Sequence, residues 1–155
     1  MKKIILFLSV QFFLYQYTSA QSQYFYQRNY TKYGLTELID GYVQTYTTLS
    51  DNLIDIPIYI IPNDKVVKVE VQAICMNPAF SDALSIKGHR SFFKSSGAAS
   101  SVYNTIREGG ETFVGTPSFD IILVGNDINI QLQPINGQTM FWHLDIKIEI
   151  ISQFP

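Results

Sequence analysis

The sequence predicts an all-β protein, an antiparallel β-sandwich or jelly roll of about seven to nine strands that follows an N-terminal signal peptide. Apolar and polar residues alternate along several segments, and turn-forming residues separate these segments at regular intervals. No window of useful length has the 3.6-residue period of a helix. With 155 residues, the chain has room for one domain and little room for two.

The composition excludes several classes of protein. One cysteine rules out an internal disulfide framework and a cysteine-cluster zinc site. Hydrophobic residues make up 46% of the chain and charged residues 15%, which excludes an ordinary disordered polar tail. The formal net charge of −2 gives no electrostatic reason to expect a nucleic-acid partner.

The first twenty residues have the three parts of a secretory signal. A short basic start (MKK) precedes an apolar run at residues 4–14, and small residues end the segment at Ala20. The apolar run is about half the roughly 20 residues that a membrane-spanning helix needs. We expect cleavage near Ala20 and a secreted, periplasmic or cell-surface protein whose mature chain has no membrane span. An uncleaved membrane anchor is the alternative.

Residues 21–50 are rich in tyrosine and have no clean period, which predicts an N-terminal arm or a first strand. The tyrosines at its start are Tyr24, Tyr26, Tyr30 and Tyr33. Tyrosine combines an apolar ring with a polar tip, so these side chains either contact a protein or glycan or cap the edge of the core. Residues 35–39 suggest one helical turn that stops at Gly41.

Residues 51–155 have the period of two and are predicted to form the β-sandwich domain. In the last segment, Trp142 and every second residue up to Ile150 are apolar, whereas the residues between them are polar. This pattern is typical of a half-buried antiparallel strand, and it makes Trp142 a predicted core anchor. Cys75 lies on the apolar face of an earlier strand, which predicts a buried small hydrophobe rather than a nucleophile.

Turn-forming residues divide this domain into its strands. The sequence has Pro-Asn-Asp at residues 62–64, Asn-Pro at 77–78, and Gly-Asn-Asp at 125–127. Asn-Gly at residues 136–137 is the dipeptide most favoured in two-residue hairpins. It predicts a hairpin that joins residues 128–134 to residues 139–151.

No set of residues indicates a particular reaction. His89 and His143 are the only histidines, and His143 shares a strand face with Asp145. That pair would need a third ligand from another strand to bind a metal. The sequence has neither a GxSxG nucleophile motif nor a glycine-rich phosphate loop. We therefore expect no catalytic residue, no metal and no cofactor, and we predict that the protein is not an enzyme.

Candidate ligand-binding residues cluster around a basic and aromatic segment. Lys87, His89 and Arg90 precede two phenylalanines, a combination that suits a single-stranded nucleic acid or an acidic glycan. The acidic net charge of the mature chain favours the other interpretation, a strand with a polar face and one buried phenylalanine. With residues of the following loops added, the candidates are Lys87, His89, Arg90, Tyr103 and Glu111.

A particular order of strands and turns is visible in residues 62–73 (PNDKVVKVEVQA), 115–123 (GTPSFDIIL) and 126–151 (NDINIQLQPINGQTMFWHLDIKIEII). In strand order, polar turn and Trp142, this arrangement resembles the small β-sandwich modules of phage tail-fibre and virion structural proteins. The resemblance implies oligomers, often trimers, that bind partners or glycans through loops. It implies no particular binding residue.

The sequence therefore predicts an exported, non-enzymatic structural, adhesion or binding module, of which a virion- or surface-fibre-like subunit is one form. The alternative is a small secreted carbohydrate-active protein, either glycan-binding or a hydrolase or lyase on a jelly roll. Expected partners are other copies of the chain, in a trimer for example, and a cell-surface protein or glycan. No nucleic-acid partner is expected.

Overall fold

The computed structural model describes residues 24–47, 53–79, 83–110, 117–135 and 138–152, so the predicted signal peptide lies outside the described part. These ranges form ten strands, and they contain no helix that is long and apolar enough to cross a membrane. The strands are β1 (Tyr26–Tyr33), β2 (Thr36–Thr47), β3 (Ile54–Ile60), β4 (Lys65–Met76), β5 (Ala83–Lys94), β6 (Ser100–Ser101), β7 (Ile106–Gly110), β8 (Ser118–Val124), β9 (Asp127–Gln133) and β10 (Met140–Ser152).

The strands form two antiparallel sheets. The large sheet has the order β1-β2-β10-β4-β5-β6, and β7 also pairs with β5. The small sheet has the order β3-β9-β8. Nine strands contain five or more residues, and β6 contains two. The prediction of an all-β antiparallel sandwich is therefore confirmed.

Strand β10 lies at the centre of the large sheet. It pairs with β2 from Met140 to Ile151 and with β4 from Phe141 to Ser152. Its residues alternate between buried and more exposed along nearly its whole length. Trp142 is 1% exposed and lies opposite Cys75 of β4, so the two side chains share the core face of the sheet.

The small sheet covers this core from the other side. Its central strand β9 buries Ile128, Ile130 and Leu132, and Phe119 and Ile121 of β8 are equally buried. These residues and the apolar faces of β2, β4, β5 and β10 form one hydrophobic cluster. The two sheets therefore share a single core, as expected for a sandwich.

The hairpin predicted between β9 and β10 is wrong. β9 pairs with β3 and β8 in the small sheet, whereas β10 pairs with β2 and β4 in the large sheet. Asn136 and Gly137 themselves lie outside the described residues. Both strands bury an alternating apolar face in the same core from opposite sides. The chain therefore crosses from the small sheet to the large sheet between β9 and β10. Alternating residues and a turn dipeptide are compatible with either a crossover or a hairpin, so the sequence did not distinguish the two.

The helical turn predicted at residues 35–39 is also wrong. The chain turns at Gly34, whose φ of 57° lies in the left-handed region, and β2 begins at Thr36. The described part of residues 21–50 thus forms an antiparallel pair of strands, β1 and β2. Pairing with β10 over twelve positions decides the conformation of β2, because such long-range pairing overrides weak local helix propensity.

Replacing Trp142 by alanine should destabilise the fold strongly. The indole is fully buried, so Trp142→Ala should lower the free energy of unfolding by about 3–5 kcal/mol, as measured by urea denaturation. Trp142→Phe should cost much less. It retains most of the ring and removes an indole N–H that finds no acceptor among the described residues. A Trp142→Ala midpoint equal to that of the unchanged protein would contradict this role.

Gly88 of β5 is a point of close approach between the sheets. A Cβ atom at Gly88 would lie 2.8 Å from Cζ of Phe119, whose ring comes from the small sheet. Gly88→Ala should therefore lower the free energy of unfolding by about 1–3 kcal/mol through overpacking. Ser85→Ala, at an exposed position of the same strand, is the matched control and should leave thermal stability nearly unchanged. Equal melting temperatures for the two variants would refute this contact.

Candidate functional site

The outer face of the large sheet, which is turned away from the small sheet, carries charged side chains in register. Asp40 of β2 lies opposite Lys147 of β10, and Lys147 lies opposite Glu70 of β4. Asn29 of β1 and His89 of β5 extend the line at its two ends. Residues directly opposite each other in antiparallel strands share a face, so these five side chains form one polar row across five strands.

A shallow groove follows this polar row. One depression of about 320 Å³ is lined by residues of β1 and β2 together with Asp40 and Lys147. A second depression of about 190 Å³ is lined by residues of β4 and β5 and by Asp145, again with Asp40 and Lys147. Because Asp40 and Lys147 line both, the two depressions are the halves of one groove that runs across the strands.

Three aromatic rings stack on one another near the β1 end of this face. The centroids of Tyr26 and Tyr42 are 5.3 Å apart with an interplanar angle of 24°, and those of Tyr42 and His143 are 6.4 Å apart at 30°. Tyr26 is 47% exposed. These three residues, from β1, β2 and β10, form a stacked ring ladder in which Tyr42 is the middle ring and the outer rings, Tyr26 and His143, are partly exposed.

Arg28 joins the ring ladder to the groove. Its Nη2 donates a hydrogen bond of 2.7 Å to Oδ1 of Asp145, and its guanidinium carbon lies 5.5 Å from the centroid of the Tyr42 ring. Nε2 of His143 lies 3.6 Å from the other carboxylate oxygen of Asp145. Since Arg28 and Asp145 are each nearly half exposed, their ion pair adds little stability, and its main effect is to hold both groups in place.

A local irregularity in β1 accounts for the position of Arg28. The register of β1 on β2 shifts between Gln27 and Asn29, so Arg28 is the extra residue of a β-bulge. A bulge changes the direction of one side chain without ending the strand. Arg28 can therefore reach Asp145 two strands away while Tyr26 still stacks on Tyr42.

A second ring pair lies at the β5 end of the same face. The rings of His89 and Tyr103 meet edge to face, with centroids 6.2 Å apart. The hydroxyl of Tyr103 lies 3.3 Å from Oγ of Ser91. Lys87 lines the adjoining half of the groove. Three of the candidate residues from the sequence, Lys87, His89 and Tyr103, are thus brought together at this end.

Glu70, in the middle of the groove, is paired with Lys68. Nζ of Lys68 lies 2.6 Å from Oε1 of Glu70. The hydrogen bond donated by Lys68 lowers the pKa of the Glu70 carboxyl and raises the pKa of Lys68 itself. Glu70 is therefore ionised near neutral pH and acts as a hydrogen-bond acceptor.

Of the two remaining candidate residues from the sequence, Arg90 does not contribute to this arrangement. Arg90 faces the opposite way from its neighbours: Nη1 donates to the carbonyl oxygen of Ile121 in β8 at 2.6 Å, and Nη2 donates to Oγ of Ser101 at 3.0 Å. Arg90 thus ties the large sheet to the small sheet. The strict alternation of β5 separates it from Lys87 and His89. Glu111 lies outside the described residues.

Sequence reasoning noticed that His143 and Asp145 share a face but missed Tyr42 and Arg28. Tyr42 and Arg28 belong to the consecutive strands β1 and β2, but their contacts with His143 and Asp145 depend on the pairing of β2 with β10, which begins only at Met140. Among the described residues, no group of three or more His, Cys, Asp or Glu could hold a metal ion. Cys75 is buried, and burial raises the pKa of its thiol to about 12, which disfavours the nucleophilic thiolate.

The position of Arg90 between the sheets predicts a role in stability. Arg90→Ala removes two hydrogen bonds from a charged donor, so it should lower the free energy of unfolding by about 1.5–3 kcal/mol in urea denaturation. Lys87→Ala, on the exposed face of the same strand, is the control and should change stability by less than about 0.5 kcal/mol. Equal denaturation midpoints for the two variants would contradict the assignment.

A solved phage protein has low structural similarity to this chain. No protein-family model matches the chain, and no curated protein matches it. The chain is similar to the tailspike protein gp49 from Acinetobacter baumannii bacteriophage Fri1, a capsular polysaccharide depolymerase, with a TM-score of 0.37 and 11% identity. The match covers 82% of this chain and spans 20% of that protein's length.

Proposed function

We propose that this chain is a non-enzymatic binding module whose ring ladder and groove bind a carbohydrate. The observation that carries the proposal is the exposed ladder of Tyr26, Tyr42 and His143 beside the paired charges of Arg28 and Asp145. A sugar ring has an apolar C–H face and a rim of hydroxyls. Aromatic rings can stack on the face, while carboxylates and cations hydrogen-bond the rim.

The charges along the groove favour a neutral glycan. Asp40, Glu70 and Asp145 alternate with Lys87 and Lys147 around the two depressions. A polyanion such as a nucleic acid needs a surface of one sign, because its affinity comes largely from neutralised phosphates. Hydroxyl groups both donate and accept hydrogen bonds, so a neutral sugar chain is complementary to a surface of alternating sign.

The same groups favour binding over hydrolysis. Asp40 and Glu70 lie on strands separated only by β10, about 10 Å apart across the sheet, which is near the spacing of a two-carboxylate glycosidase. Such an enzyme needs one carboxylic acid with a raised pKa to protonate the leaving group. The pKa of Glu70 is instead lowered by Lys68, so Glu70 is poorly suited to act as that acid.

We place this module outside the cytoplasm because of the signal-like residues 1–20. In that setting a glycan-binding face serves adhesion to a cell surface. The same glycan-binding face is equally compatible with a fibre subunit that assembles by self-association, as a trimer for example. Both roles use the outer face of the large sheet.

Affinity electrophoresis tests the proposed function. The protein is run through gels that contain neutral polysaccharides (dextran, starch, galactomannan, xylan, laminarin) or anionic ones (alginate, hyaluronan). We expect retardation by a neutral polysaccharide, without release of reducing sugar. Tyr42→Ala should weaken binding about ten-fold, because one aromatic stack contributes roughly 1–1.5 kcal/mol, whereas Tyr42→Phe should retain binding.

A matched pair of carboxylates provides the control. Asp145→Asn removes the negative charge that pairs with Arg28 and replaces one carboxylate oxygen by an NH₂ donor, so it should weaken binding. Asp55→Asn makes the same change on the outer face of the small sheet, where Asp55 accepts a hydrogen bond from Gln131, and should have no effect. If no gel retards the protein, or if Tyr42→Ala binds as well as the unchanged protein, the proposal is refuted. Release of reducing sugar would support the hydrolase alternative.

A further inference from the structure

The ring pair at the β5 end lies far from the ring ladder, yet on the same face. His89 and Tyr103 meet edge to face, and Tyr103 is 36% exposed. Exposed apolar side chains in the same region, at Phe93 and Ile106, enlarge this patch. A carbohydrate bound only at the ring ladder would leave these groups unused.

The polar row ends at His89 of the ring pair and passes beside the ring ladder, since Tyr42 lies two residues from Asp40 along β2. It runs from Asn29 through Asp40, Lys147 and Glu70 to His89, with one side chain on each of five neighbouring strands. Neighbouring strands are about 4.8 Å apart, so the four intervals span about 19 Å. A single sugar ring covers only a small part of that span.

The middle of the row offers repeated polar contacts. Asp40 and Glu70 supply acceptors, and Lys147 between them supplies donors, at the regular spacing of the strands. Regularly spaced donors and acceptors are complementary to a ligand that is built from repeating units. A lone sugar, or a small charged molecule, would engage one of these groups and leave the others solvated.

We infer that the outer face of the large sheet takes an extended oligosaccharide laid diagonally across the strands, from the ring ladder past Lys147 and Glu70 to the His89–Tyr103 pair. This inference rests on the proposed function and names the kind of chain that the site takes. The ligand is a neutral glycan segment long enough to span about 19 Å. Its two ends stack on aromatic rings, and its middle hydrogen-bonds the polar row.

Isothermal titration with fragments of increasing length tests the inference. The probes are size-separated hydrolysis fragments, from disaccharide to octasaccharide, of each polysaccharide that retards the protein in the gels. Affinity should rise with chain length and level off once the fragment spans both ring clusters. Tyr103→Ala should weaken binding of the longest fragments about ten-fold and leave binding of the disaccharide to the ring ladder unchanged.

Matched variants separate loss of the ring from loss of the fold. Tyr103→Phe retains the ring and should bind all fragments as the unchanged protein does. Tyr42→Ala should weaken binding of every fragment, short or long. Because Tyr103 is exposed, its variants should keep the melting temperature of the unchanged protein.

The outcomes distinguish this inference from the proposal beneath it. Equal affinities for short and long fragments, with no effect of Tyr103→Ala, would overturn the two-ended site and leave carbohydrate binding in place. Tyr103→Ala weakening the disaccharide as much as the longest fragment would also overturn it. If no fragment and no polysaccharide binds, both the inference and the proposed function are refuted.

Discussion

The pairing of β10 with β2 on one side and β4 on the other is the constraint on which the rest of the structure depends. Each ladder covers twelve positions, and β10 buries every second side chain from Met140 to Ile150. A slip of one residue would turn Asp145 and Lys147 into the core, so the register is strongly fixed. The packing of the core thereby sets the alignment of the charges on the outer face.

The edge of the large sheet at β1 is protected against pairing with another strand. β1 is exposed along its whole length, but its edge carries a bulge at Arg28, and Lys32 lies 3.4 Å from Glu37. Bulges and charged residues discourage strand-to-strand pairing at an edge. On the core side, the Phe25 ring fills the space in front of Gly41. Both features disfavour the pairing of a further strand at the β1 edge.

The local sequence predicted the strands that show alternating apolar and polar residues, and it missed the contacts that depend on pairing between distant strands. Alternation located β4, β9 and β10 and the faces that they bury. It could not show that residues 136–137 lie between strands of different sheets, since a crossover and a hairpin connect the same alternating segments. Tyr42 and Arg28 meet His143 and Asp145 only because β10 is the neighbour of β2. The alternation along β5, by contrast, was enough to place Arg90 on the opposite face of the strand from Lys87 and His89.

The candidate site differs in kind from the loops that the sequence suggested. Apart from Tyr103, its side chains lie on hydrogen-bonded strands whose register is fixed by the core, so the proposed binding requires little ordering of the backbone. Each exposed contact is weak, because the charges are hydrated and the Arg28–Asp145 pair is nearly half exposed. A flat face of this kind gains affinity by adding contacts along a line. The polar row supplies that line, and a repeating chain is the ligand that can use all of it.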